Sequence, residues 1–268
     1  MTAHKPKGRG EEDDSLKTRQ INKRGFVFAV LALTSLFLLL VFLGPEARLP
    51  VNSKEVEVVH DTRTQDNDYE KSNLEQWKSA FYQEIPVSFE RDFIRGSKTA
   101  TIEIIEFSDF QCPYCRKAQY SLSLMLDRYP DQVRWVFKNF PLDKDCNESM
   151  ETQLHELACR TAVIARCVGA SDPELFWLFH DEVFASKTLT EEVLDGISVD
   201  LVRDKKTFSE CVTGQESYTL VREDVEVGRS IGLTATPTIY INGRMASSYD
   251  PELLSEIIEY IIETNGEV

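Results

Sequence analysis

Two hydrophobic rhythms alternate along the chain from residue 101 onward. Thr101-Ile-Glu-Ile-Ile-Glu-Phe107 is a short apolar run and predicts a buried strand. From Pro113 to Tyr129 the spacing is helical, with Leu122, Leu126 and Tyr129 on one face. Val133-Arg-Trp-Val-Phe137 predicts a second strand. Strand, helix and strand in that order make a βαβ unit, whose strands pair in parallel. Residues 150–230 are helical in pattern almost throughout, with helices predicted over 151–169, 173–185, 190–197, 205–212 and 215–231. Phe176, Trp177 and Phe179 read as core and inter-domain packing. Strand character returns at Thr238-Ile-Tyr-Ile241. Asn242-Gly243 predicts a hairpin turn into a brief strand near 244–247. Asp250-Pro251 supplies an N-cap and a first-turn proline for a last helix, ending near Asn265-Gly266. One central sheet with helices on its faces accommodates this α/β order.

Upstream the pattern changes. Leu74, Trp77 and Phe81 suggest a short amphipathic helix within 73–84, and the polar, acidic stretch 45–70 reads as a tether. Residues Gly25 to Gly44 hold sixteen apolar positions in twenty and no charge. Twenty helical residues span about 30 Å, the thickness of a bilayer core. The rival readings are a buried core helix and a cleaved signal peptide. The uncharged run is long for either, and Gly44-Pro45-Glu46-Ala47-Arg48 follows it. An uncleaved signal anchor over 25–44 is therefore expected. Residues 1–24 hold seven Lys and Arg against four Asp and Glu, so the positive-inside rule puts them in the cytoplasm. Everything after residue 44 then faces outward: in a bacterium, a single-pass inner-membrane protein with its C-terminal domain in the periplasm or cell exterior. Disulfides persist there.

Charge narrows the function. With 30 Lys+Arg against 45 Asp+Glu the chain carries −15, so no nucleic-acid partner is expected. Six Cys in 268 residues suffice for one reactive pair and two structural bridges, not for a disulfide-stapled miniprotein. No dinucleotide, P-loop, zincin or serine-hydrolase signature occurs, and no cofactor is expected.

Cys112-Pro113-Tyr114-Cys115 follows a predicted strand and opens a predicted helix. A thiol at a helix N-terminus meets the positive end of the macrodipole and free backbone N–H groups, and both favour the thiolate. A second thiol one turn along can resolve a mixed disulfide. Cys112 is the expected exposed attacking thiol and Cys115 the buried resolving one. Half a zinc site is the bland alternative. It lacks the second pair or the paired histidines, so no metal is expected.

Four segments together resemble the DsbA-like thiol-disulfide oxidoreductases. They are Glu106-Phe-Ser-Asp-Phe-Gln-Cys112-Pro-Tyr-Cys115, Phe137-Lys-Asn-Phe-Pro-Leu142, Thr236-Pro237-Thr238 and Ile241-Asn-Gly243. The resemblance covers about residues 85–265. It implies a thioredoxin-like fold with an inserted α-helical domain, here about 143–230, within a domain 85–268 that follows the linker and short helix of 45–84. It implies that Pro237 sits in a cis-proline loop facing the CxxC pair and that Thr236 contacts the disulfide. Proline is the residue for which cis is cheap, and it leaves backbone free to pair with a substrate peptide. Glu106 is implied as a buried acid that moves protons for the buried thiol, with Asp109 an alternative. Pro113 and Tyr114 fall where substrate would be met, and Tyr114 offers the thiolate no positive charge. The implied partners are exported cysteine-containing proteins and a membrane or soluble redox recycling partner.

Cys146, Cys159, Cys167 and Cys211 lie in the helical block. On one helix, Cys159 and Cys167 are about 12 Å apart, too far for a disulfide, whose Cα atoms lie within about 7 Å. Pairs 146–159 with 167–211 are favoured; 146–167 with 159–211 remains open. His155 and His180 are expected to be ordinary, with His155 near the site only if the helical block folds over it. Asn147-Glu148-Ser149 is a formal glycosylation acceptor, a motif common by chance.

Overall fold

The structure, a computed structural model, describes residues 73–266. The signal anchor over 25–44, the cytoplasmic segment and most of the tether lie outside the described residues. No helix among the described residues is long and apolar enough to cross a membrane. A helical segment at 73–79 opens the described chain. Leu74 and Trp77 are buried as its pattern requires, but the helix stops before Phe81, which is left 88% exposed. The chain turns there, and Tyr82 bridges to Arg244.

Five strands form one sheet in the order β1-β3-β2-β4-β5. They are β1 (Phe93–Gly96), β2 (Ile102–Ser108), β3 (Val133–Asn139), β4 (Thr238–Ile241) and β5 (Arg244–Met245). β2 and β3 pair in parallel, Ile104 opposite Trp135 and Glu106 opposite Phe137. β1 lies antiparallel on β3, and β4 antiparallel on β2. β1 was not expected: four residues ending in glycine carry too little pattern to be read as a strand. Asn242 and Gly243 both have positive φ, which the tight β4–β5 turn requires. A Cβ on Gly243 would also stand 2.4 Å from the Tyr82 ring.

The helices are α1 (Pro113–Arg128), α2 (Ala158–Gly169), α3 (Pro173–Ala185), α4 (Glu191–Leu201), α5 (Lys205–Thr213), α6 (Gln215–Ser230) and α7 (Pro251–Glu263). Two departures from the expected bounds have local causes. Residues 151–157 form an irregular segment before α2, closed back by His155 N–H to the Leu142 carbonyl at 3.2 Å. α4 runs on to Leu201, where the Val202 N–H closes it on the Ser198 carbonyl.

The sheet is buried on both faces, so β2 and β3 read as near-continuous apolar runs. On one face, α1, α3 and α7 cover Ile104, Trp135, Phe137 and Ile239. There Phe110 stacks on Phe184 at 5.4 Å and touches Phe137 at 5.2 Å. On the other face α6 covers Phe107, Val136 and Phe140. Gly228 lets α6 approach closely, since a Cβ there would meet the Phe140 ring at 2.7 Å. Two disulfides, Cys146–Cys159 and Cys167–Cys211, staple the helices between β3 and α6.

A buried ion cluster ties those helices to the sheet. Lys138 on β3 donates to Asp92 at 2.8 Å, and its Nζ is 3.5 Å from Asp224 of α6. Arg166 of α2 donates to Asp224 at 2.9 Å, as does the Asn139 side-chain amide. Asn147 is also fully buried, donating to the Pro141 carbonyl, so its acceptor motif is closed in the folded protein.

Candidate functional site

The site forms where β2 ends and α1 begins. Cys112 is the N-cap of α1, with Pro113 in its first turn. Proline there loses no hydrogen bond, because first-turn N–H groups have no helical partner. Cys115 lies one turn on, wholly buried. Both thiols are unbridged. Cys112 is only 4% exposed, against the expected open thiol, because the loop at Thr236-Pro237 closes over it. The Cys112 thiol donates to the Thr236 carbonyl at 3.3 Å, and the Thr236-Pro237 peptide bond is cis.

The two thiols are held in opposite states. The Cys115 thiol, donating to Cys112, is the largest of the influences that push the Cys112 pKa down to about 6. Burial opposes it, while the Thr236 side chain and the N–H groups of Cys115 and Tyr114 assist it. The Thr236 hydroxyl is buried and otherwise unpartnered, so a thiolate at Cys112 gives it an acceptor. Cys115 is pushed well above its ordinary value, first by burial and then by its bond to Cys112 and the charge of Glu106.

Glu106 is buried in the central strand, not a solvated strand end. Burial raises its pKa to about 8, although the Ser108 hydroxyl, donating to Oε1 at 2.8 Å, and the Trp135 indole both favour the carboxylate. A neutral carboxyl near pH 7 is thus stored beside the buried thiol. Asp109 has a different task. Its Oδ1 accepts from Gln111 N–H and its Oδ2 from Leu142 N–H, both at 2.7 Å, which fixes the loop before Cys112. Ser108 and Gln111 were missed by sequence reasoning, since no motif spacing distinguishes them.

Tyr114 is 56% exposed, with Lys117 Nζ 5.4 Å above its ring. A cavity of about 460 Å³ opens beside Pro237 between α1 and the 246–251 loop, lined by Lys117, Tyr120, Ile239 and Tyr249. His180 is buried among Trp135, Phe176 and Phe184, and burial depresses its pKa. His155, expected to be ordinary, instead reaches Asp109 at 2.8 Å.

Residues 88–260 match the family model described as Thioredoxin. The chain belongs to the thioredoxin family. A protein of Bacillus anthracis named probable disulfide bond formation protein D is 27% identical over 164 residues, 57% of this chain and 70% of its own length. An Na(+)/H(+) antiporter NhaA 1 of Salinispora arenicola is 30% identical over 176 residues, 65% of this chain. The chain spans 25% of the length of that antiporter. Among solved structures, oxidised BdbD from Bacillus subtilis superposes with a TM-score of 0.57 at 21% identity, over 69% of this chain and 98% of BdbD. That likeness carries the thioredoxin fold.

Proposed function

We propose that this protein is a membrane-anchored dithiol oxidase of exported cysteine-containing proteins. The asymmetry of the two thiols carries the reading. A Cys112 thiolate favoured at pH 7 stabilises the reduced pair, and whatever stabilises the reduced pair makes its disulfide a stronger oxidant. A client thiolate attacks Cys112 Sγ of the disulfide, the sulfur–sulfur bond breaks, and Cys115 leaves with the electron pair. Burial raises the Cys115 pKa, so it takes a proton at once, and neutral Glu106 is the nearby donor. A second client thiolate then attacks the client sulfur of the mixed disulfide. Cys112 leaves as a thiolate, the client gains a disulfide, and the pair holds its two electrons. A membrane or soluble partner must then reoxidise it.

Thr236 and Pro237 line the approach to Cys112, and Pro113 and Tyr114 flank it. Once Cys112 enters a mixed disulfide its thiol no longer occupies the Thr236 carbonyl, which can then pair with a client segment. The apolar, uncharged run 25–44 and the basic residues before it support an anchor with the catalytic domain outside, where the two further disulfides would persist.

The test is oxidative refolding. The oxidised protein, at one equivalent, should convert a reduced two-cysteine client to its disulfide form while gaining two thiols of its own. Cys112→Ser should abolish the transfer. Client binding without thiol transfer would leave a non-catalytic binding module. Efficient reduction of client disulfides with no oxidation would make it a reductase.

A further inference from the structure

His155 is 40 residues from Cys115, yet the fold brings it to the loop that carries the redox motif. Its Nδ1 is 2.8 Å from Asp109 Oδ2, and the Asp109 side chain is fully buried. The Asp109 N–H donates to Cys115 Sγ at 3.4 Å, and its carbonyl accepts the Cys112 N–H at 3.0 Å. Asp109 therefore meets both cysteines through its backbone and His155 through its carboxylate. A second bond runs alongside, from Leu157 N–H to Gln111 Oε1 at 2.6 Å. The segment that presents His155 is pinned by the Cys146–Cys159 disulfide and by Asp143, which accepts the Cys159 N–H at 3.0 Å.

A buried carboxylate beside a cysteine opposes its thiolate unless a cation balances it. Pro113-Tyr114 supplies no cation, and His155 stands where one is needed. We propose that His155 is a positioning residue of the redox pair, an imidazolium that neutralises Asp109 beside Cys112 and exchanges a proton as the pair changes redox state. The proposal rests on Cys112 and Cys115 being that pair. When the disulfide accepts two electrons from a client dithiol, two protons come with them. One goes to Cys115, Cys112 stays ionised, and the other is shared between His155, whose proton affinity rises, and water. Reoxidation releases both again.

The groups facing His155 agree with this. Its hydrogen bond to Asp109 holds its pKa above the ordinary histidine value, against burial, and the charges of Asp109, Cys112 and Asp143 add to it. Asp109 and Asp143 act in both redox states, whereas the Cys112 thiolate exists only in the reduced one. Linkage is reciprocal: an imidazolium that favours the thiolate is favoured equally by it.

Proton NMR titration of the histidines in the full chain, reduced and oxidised, tests this without a variant. The His155 signal is identified by its loss in His155→Gln. Its midpoint should be higher in the reduced protein by about half a unit or more, about a threefold change in proton affinity. In His155→Gln, the Cys112 thiolate midpoint, followed by ultraviolet absorbance, should rise by a similar amount. A purely structural His155 would move neither. Equal His155 midpoints in the two redox states overturn the proposal alone. A thiol count that finds no Cys112–Cys115 disulfide in the oxidised protein overturns it together with the reading it rests on.

Discussion

Glu106→Gln should stabilise the protein, and by an amount that depends on pH. Folding raises the Glu106 pKa from 4.5 to about 8, chiefly through burial. Between those values the folded state keeps a proton that the unfolded state has lost. Stability therefore falls as pH rises through this window, the reverse of an ion-paired carboxylate. One pKa unit corresponds to about 1.4 kcal/mol, so the penalty is about 3 kcal/mol at pH 7 and approaches about 5 kcal/mol above pH 8. Glutamine keeps the shape and the acceptor for Ser108 but cannot ionise. Urea unfolding of oxidised wild type and variant, from pH 5 to 8, isolates the effect, because Cys112 carries no charge in the disulfide and His180 titrates alike in both proteins. The variant's advantage should widen by about 1.4 kcal/mol per pH unit. A constant difference across the range would refute a raised Glu106 pKa and, with it, the proton store beside Cys115.

Two further substitutions probe the frame around the pair. Thr236→Val removes the hydroxyl that a Cys112 thiolate would engage, so the thiolate absorbance midpoint should rise from about 6 by about one unit; an unchanged midpoint would deny the hydroxyl that role. Asp224→Ala strips Arg166 of its buried carboxylate and leaves Lys138 with Asp92 alone, which should cost about 3–5 kcal/mol in denaturant unfolding. A loss under about 1 kcal/mol would mean that the cluster does not hold the helices to the sheet.

The parts of this fold that announce themselves in sequence are those with strong local chemistry. Short apolar runs bounded by polar residues mark β2 and β3, Asn242-Gly243 marks a tight turn, and Asp250-Pro251 before an apolar helical pattern marks a helix start. Cys112 and Cys115 were legible because a strand end and a helix start flank them. β1 was illegible, since Phe93–Gly96 is held as a strand by β3 and not by its own pattern. The cover over Cys112 comes from Thr236-Pro237, more than 120 residues away, and spacing around the cysteines says nothing about it. Asp109 and His155 meet across 46 residues, through an irregular segment that has no periodicity to read. Phe81 shows the converse error: helical spacing continued on paper past the point where the helix ends. The buried Lys138, Asp92, Asp224 and Arg166 look like ordinary surface charges until their partners are known.

The central claim is that the Cys112–Cys115 disulfide is a donor of oxidising equivalents, and its reduction potential tests that most directly. At pH 7 a thiolate with a pKa of about 6 in place of 9 stabilises the reduced form by about 1.4 kcal/mol, or about 30 mV. Equilibration of the full chain against a glutathione series should give a potential well above about −200 mV. A value near that of thioredoxin, about −270 mV, would contradict the account and make the protein a reductase in need of an electron donor.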